Sequence, residues 1–275
     1  EPLTSLNPLH SISRQIAEVL LLHKHMTATA ARARVVELLH LVGLEQATSR
    51  LDALPHEFSG GQQQRIMIAM ALANEPEILI ADEPTTAVDV TVQAQLLKLL
   101  KELQAKLGMA ILLITHDLGI VRHMADTVSV MNDGRVVESG AAETIFTAAR
   151  DDYTRHLLAA EPKGRPDPAP VSKTLVKGSD IKVWFPIKRG ILRRTVGHIK
   201  AVDGIDIDIQ AGHTLGVVGE SGSGKSTLGR ALIRLERSTG RIEFDGRNIQ
   251  GLGWAALRPL RREMQIVFQD PYGSL

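Results

Sequence analysis

The order of its motifs restricts this chain more than any other feature. The phosphate-binding pattern G-x-x-x-x-G-K-[S/T] is met within GESGSGKST (219–227), yet the apolar strand ending in carboxylates, ILIADEP (78–84), and the loop FSGGQ (58–62) come before it. In a fold unit opened by such a glycine-rich loop, those two segments ordinarily follow. The last residues, FQDPYGSL (268–275), are echoed by the first, EPLTSL (1–6), as if the chain were cut at one point of two successive repeats. The sequence therefore reads as the back of one repeat (residues 1–160), a linker (161–179) and the front of the next (180–275).

Composition permits this and excludes several other classes. With 275 residues and 44% apolar content the chain can bury a core. A formal charge of +1, from 32 basic and 31 acidic residues interspersed along the chain, gives no basic field, so no nucleic acid is expected as a partner. The absence of Cys removes disulfides, thiolate chemistry and cysteine-ligated zinc or iron–sulfur centres. Apolar runs such as MAILLI (109–114) fall far short of the roughly 20 residues of a membrane helix. Glu1 at the start, with no basic segment and apolar stretch after it, reads as a truncation rather than a processed export signal.

Periodicity places the motifs on elements. Residues 11–43 carry apolar positions at helical spacing (Ile12, Ile16, Val19, Leu20; then Val35, Leu38, Leu39, Val42), predicting two helices that end at Gly43. A helix capped by Ser59 is expected over 59–73, and buried parallel strands over 77–81 and 109–114. Between them lies a long helix marked by Val92, Leu96, Leu99, Leu100, Leu103 and Leu107 and closed by Gly108. TVSVM, Asn132-Asp133-Gly134 and RVVES form a hairpin pattern. Four prolines among residues 161–173 mark an extended, semi-stiff linker. Beyond it, DIKVWFPI, AVDGIDIDI, TLGVVG, RIEFDG and MQIVF read as strands, with a helix over 226–235.

Each motif suits a polyphosphate. Glycines at 219, 222 and 224 let backbone amides turn inward, with Glu220, Ser221, Ser223 and Thr227 completing the loop. Lys225 neutralises β- and γ-phosphates, and the Ser226 hydroxyl is a ligand for Mg²⁺. Asp82, at a strand end, can hold the hydrated metal ion, and Glu83 beside it can polarise an attacking water. His116, in ITHD after the next apolar run, stands where a strand end would direct it at a γ-phosphate. Ser59, Gly60 and Gly61 open a helix whose amides and positive dipole end favour an anion.

FSGGQ, ADEPTTAVD and ITHD together resemble the signature, Walker B, D-loop and H-loop of ATP-binding-cassette (ABC) ATPases. GESGSGKST and FQD (268–270) resemble their Walker A and Q-loop. The resemblance covers nearly the whole chain. YTRHLLAAEP (153–162), VVGESGSGKST and FQDPYGSL are similar to the oligopeptide/dipeptide importer branch, and WFPIKRGILRRTVGHIKAVDGI (184–205) to the second half of fused two-cassette ATPases of peptide and microcin C importers. The fold it implies is α/β: a P-loop NTPase cassette with a RecA-like parallel sheet, an antiparallel β subdomain and a helical signature subdomain.

The resemblance also implies roles. ATP and Mg²⁺ are the cofactors. Phe185 stacks on adenine, Gln269 senses Mg²⁺ and the membrane partner, Asp89 is the D-loop contact, and Ser59, Gly60, Gly61 and Gln62 contact the nucleotide across a cassette–cassette dimer. Glu83, His116 and Gln269 serve catalysis, while Ser226, Gln269 and Asp82 serve the metal. Phe58 stands where Leu is commoner, and both are apolar anchors. The implied partners are transmembrane permease subunits of a peptide importer and, through them, a substrate-binding protein, which places the chain peripherally on the cytoplasmic side of the inner membrane.

In that family each ATP lies between the Walker A of one cassette and the signature of the other. The chain holds the second cassette's Walker A and the first cassette's signature, but not the first Walker A nor the second signature, Walker B and H-loop, so no native hydrolytic site is complete. The expectation for the isolated chain is a circularly permuted single cassette, with Lys225 and Ser226 brought beside Asp82, Glu83 and His116. Two other readings compete. Tandem ATPases of DNA repair share the cassette motifs but carry zinc-binding cysteines and a basic surface; a non-catalytic nucleotide-binding fragment would bind without turnover.

Overall fold

Polar caps and helically spaced apolar residues build the first part of the molecule. Helix α1 (Ile12–His23) starts at Ser11, whose hydroxyl accepts from the Arg14 amide, and α2 (Ala28–Leu41) at Thr27, whose hydroxyl accepts from the Ala30 amide. Gly43 follows with φ of 70°, the left-handed conformation expected just past a helix end. Helix α3 (Gly60–Leu72) starts at Ser59, and α4 (Val90–Leu107) runs from Asp89 to the left-handed Gly108. Ile12, Ile16, Leu20, Leu38, Leu39, Ile66, Leu72, Leu96, Leu100 and Leu103, one face of each helix, make a single fully buried core.

This structure, a computed structural model, describes residues 5–85, 89–160, 164, 172–190 and 193–268. It divides into two units, Glu1–Lys163 and Gly164–Leu275. In the first unit, strand β1 (Ile78–Asp82) pairs in parallel with β2 (Ala110–Ile114), Ile78 opposite Ala110 and Asp82 opposite Ile114. Helix α5 (Leu118–Met124) follows. Strands β3 (Thr127–Asn132) and β4 (Arg135–Ala141) then form an antiparallel hairpin whose two turn residues, Asp133 and Gly134, both have positive φ. Helices α6 (Ala142–Ala148) and α7 (Asp152–Ala159) close the unit.

The parallel pair corrects one expectation. Both strands were expected to be buried, yet Leu79 and Ala81 are buried while Ile78, Ile80, Leu112 and Ile114 are exposed. Strands are covered on both faces only when layers pack on both. Here the helical core packs against Leu79 on one face.

The second unit is a four-stranded antiparallel sheet of order β6-β5-β7-β8, made of β5 (Thr174–Arg189), β6 (Arg194–Gln210), β7 (Thr239–Phe244) and β8 (Arg247–Asn248). Ile181, Val183, Val202 and Ile242 line its buried face against Leu228 and Ala231 of helix α8 (Lys225–Leu232), with Leu257 of α9 (Trp254–Leu257) added at the edge.

Two expected strands are not formed. Residues 213–219, TLGVVG among them, carry no strand, and Leu215, Val217 and Val218 are exposed; residues 265–268 likewise carry none. A strand exists only where it pairs with another, and neither segment pairs with any of the four strands of this sheet.

The helical core sets the stability of the first unit. Leu39→Ala, at a site with no exposed surface, should cost about 2–5 kcal/mol. Leu22→Ala, on the exposed side of α1, should change stability by less than about 0.5 kcal/mol. Urea denaturation followed by helical circular dichroism measures both. Equal effects would contradict the assignment of the core.

Candidate functional site

The glycine-rich loop leads directly into α8, and its geometry explains its composition. Gly219, Gly222 and Gly224 all have positive φ, and Gly224 is the residue from which α8 starts. A Cβ on Gly224 would lie 2.0 Å from the carbonyl oxygen of Ala201 on β6, so the close approach of loop to sheet admits no side chain there. Glycine also offers α8 no capping oxygen, and no side chain caps this helix. Lys225 reaches back over the loop, its ammonium donating to Gly219 O at 2.7 Å, Glu220 O at 2.6 Å and Ser223 Oγ at 3.3 Å. The result is a ring of backbone with a cation across it, at the positive end of a helix dipole, with Ser226 exposed and Thr227 half-buried on the first turn.

Phe185 lies on β5 opposite Ile199 of β6, partly exposed. Its neighbour Trp184 is held by a hydrogen bond from Nε1 to Asp203 Oδ1 at 2.9 Å, with the Lys200 ammonium 4.4 Å from its ring centroid. The Lys200 hydrogen bond, and then that from Trp184, hold the Asp203 carboxyl below its ordinary pKa. Gln269 lies outside the described residues.

The first unit builds a second cluster at the ends of β1 and β2. Glu83 follows Asp82 with φ of 45°, a conformation a non-glycine residue adopts at some cost. Its amide donates to Ile114 O at 2.9 Å, and its Oε1 lies 2.7 Å from His116 Nδ1 and accepts from the His116 amide at 3.2 Å. The turn thus joins the strand ends and brings together two of the expected catalytic residues. The hydrogen bond to Glu83, then its charge and that of Asp117, raise the His116 pKa above its ordinary value. Asp82, the last residue of β1, is exposed beside them. No group of three or more His, Asp or Glu among the described residues is placed to hold a metal ion by itself.

The start of α3 is built differently from that of α8. Ser59 Oγ accepts from the Gln62 amide at 3.4 Å and Gln62 Oε1 accepts from the Ser59 amide at 2.9 Å, a reciprocal cap. Gly60 has open space around it. A Cβ on Gly61 would meet Val92 Cγ1 at 2.5 Å, because α3 and the first turn of α4 cross there. Asp89 caps α4 by accepting from the amide of that same Val92 at 2.9 Å.

Two further residues, unremarked in the sequence, hold this arrangement. Buried Gln63 donates to Pro55 O and Phe58 O, fixing the loop before Ser59. Gln64 donates to Pro84 O at 2.9 Å, tying α3 to the turn that carries Glu83. They stand in a run of three glutamines, where nothing in the pattern separates an inward from an outward one; their i, i+3 relation to the Gly60–Gly61 pair is the signal that was available.

Comparison with known proteins follows this geometry. A family model described as "ABC transporter" matches residues 3–86 and 202–274, more than half of the chain. The peptidoglycan transport ATP-binding protein YejF of Agrobacterium fabrum is 61% identical over all of this chain, which spans 50% of that protein. The glutathione import ATP-binding protein GsiA of Pectobacterium atrosepticum is 45% identical, again over all of this chain and 49% of its own length. The chain thus spans about half the length of these curated relatives. A solved structure titled a dimeric bacterial ABC transporter cassette, MJ0796, is 33% identical over 50% of this chain and 59% of its own, with a TM-score of 0.44.

The Glu83–His116 contact predicts a pH dependence. A raised pKa in the folded state means the ion pair stabilises fully below the ordinary imidazole pKa and is lost as pH climbs through the raised one. NMR titration should find His116 titrating above its ordinary value in the native chain and falling back toward it in Glu83→Gln. An unchanged midpoint in that variant would contradict the contact.

Proposed function

Because the chain belongs to the ABC transporter family, we propose that it supplies ATP-binding and ATP-hydrolysing parts of a subunit that energises peptide import through a membrane permease. The observation that carries this reading is the loop at 219–227: a helix begun on glycine, with Lys225 set across the loop's mouth. Those groups fit a polyphosphate, since backbone amides, a helix dipole and one ammonium all favour anionic oxygens at the same place.

The roles follow from what each side chain offers. Lys225 binds β- and γ-phosphate oxygens, Gly219 to Thr227 wrap them, and Phe185 presents a ring for adenine. Ser59, Gly60, Gly61 and Gln62 meet the phosphates from across a cassette dimer, and Asp89 lies at that contact. In the complete protein Asp82, Glu83 and His116 act with the Walker A of their own cassette. There Glu83 orients the water, and His116, hydrogen-bonded to it, stabilises the γ-phosphate. Mg²⁺, held by phosphate oxygens with the Ser226 hydroxyl, a Walker B carboxylate such as Asp82, and Gln269, would neutralise charge on the transferred phosphoryl group.

Peptide import is supported by the names of the similar proteins, one a peptidoglycan and one a glutathione transport ATPase. Permease subunits and a substrate-binding protein are the partners this assigns. No helix among the described residues is long and apolar enough to cross a membrane. Action through a permease gives the chain a peripheral place on the cytoplasmic face. DNA-repair relatives are disfavoured by the zero cysteine count, which leaves no thiolate for their zinc.

Equilibrium titration with a fluorescent ATP analogue tests the reading on the chain itself. Lys225→Ala should weaken binding by about 2–4 kcal/mol, the scale of several charge-assisted hydrogen bonds lost together. Unchanged affinity would refute the assignment of the loop.

A further inference from the structure

The arm formed by the far ends of β5 and β6 carries a charge pattern that nucleotide binding does not use. Between Asp180 and Asp203 there are six basic residues, Lys182, Lys188, Arg189, Arg193, Arg194 and Lys200, and no carboxylate, in a chain whose formal charge is only +1. Antiparallel pairing sets Arg189 directly opposite Arg194, with Lys188 opposite Thr195. Like charges facing each other across a ladder destabilise it unless something neutralises them. Among the described residues no carboxylate lies within ion-pair distance of Lys188, Arg189, Arg193 or Arg194.

Apolar side chains are exposed among these cations. Ile187, Val196 and Ile199 are 39%, 59% and 61% exposed, and residues 184–190 and 193–196 are exposed throughout. The arm is therefore uncovered beyond Val183 and Val202, where the buried core of the sheet stops. Clustered cations alone would suit any polyanion. Cations interleaved with exposed aliphatic side chains suit a surface with anionic headgroups above an apolar layer, since Ile and Val gain nothing from a phosphodiester backbone.

We propose that the β5–β6 arm, through Lys188, Arg189, Arg193 and Arg194 with Ile187 and Val196, binds the surface of an anionic lipid bilayer directly. The arm would then be a second attachment to the membrane beside any permease, and it would neutralise the Arg189–Arg194 pair. This goes beyond the nucleotide reading and does not depend on it.

Co-sedimentation of the full chain, without nucleotide, with vesicles of phosphatidylcholine alone or mixed with phosphatidylglycerol tests it. Binding should require phosphatidylglycerol, weaken with salt, and fall at least about tenfold when Lys188, Arg189, Arg193 and Arg194 are all changed to Gln. A charge-keeping variant, Lys188→Arg with Arg189→Lys, Arg193→Lys and Arg194→Lys, should bind like the native chain. Ile187→Ser with Val196→Ser should weaken binding while leaving its salt dependence. The proposal is overturned if the native chain does not bind anionic vesicles, if it binds neutral ones equally, or if the four-Gln variant binds undiminished. It is overturned too if polyuridylate RNA is bound through the four cations while vesicles are not. Because the assay contains no nucleotide, failure here leaves the assignment of Lys225 standing.

Discussion

An α-helix that begins on glycine has no side chain with which to satisfy its own first amides, and the second unit depends on that fact. Gly224 cannot be otherwise, because the carbonyl of Ala201 occupies the space of a Cβ. The same contact that packs the loop onto β6 thus also denies α8 a cap, and leaves its positive end available to an anion. Lys225 completes the effect by lying across the loop rather than out along the helix. The packing of the loop and the uncapped start of α8 are consequences of one close approach.

The start of α3 makes the opposite use of the same element. Ser59 and Gln62 cap each other, so the helix is stable without a ligand, while Gly60 remains open and Gly61 is pressed against Val92. Such an end can approach a phosphate already held elsewhere, as a contact made in trans requires, but has less need to hold one alone. Gln64 then links this helix to the turn at Pro84, and the turn carries Glu83 in its strained conformation against His116. Gln64 thus ties the start of α3 to the turn that carries the carboxylate.

Features fixed within a few residues were legible in the sequence. Ser59 as a cap, Gly43 and Gly108 as helix ends, and Asp133-Gly134 as a hairpin turn all depend on local backbone chemistry. The glycine-rich loop was equally plain, because Gly219, Gly222 and Gly224 take the positive φ that its glycines announce. What failed depends on partners distant in sequence. Residues 214–219 have the apolar content of a strand but form none, since a strand needs an edge to pair with. Burial of Ile78 and Ile80 was overstated because an apolar run does not reveal whether one or two layers will cover it. Gln63 and Gln64 were missed because burial of a glutamine is decided by carbonyls at Pro55, Phe58 and Pro84. The total charge concealed the cationic arm, because averaging over 275 residues cancels six clustered cations against carboxylates elsewhere.

The most direct measurement of the central claim is of the backbone amides themselves. In isotope-labelled chain, ATP should move the amide resonances of Gly224, Lys225, Ser226 and Thr227 together, saturably, with pyrophosphate acting at the same amides and adenosine sparing them. Perturbations that appear with adenosine alone, or that leave these four amides in place while ATP binds, would contradict a phosphate site at the start of α8.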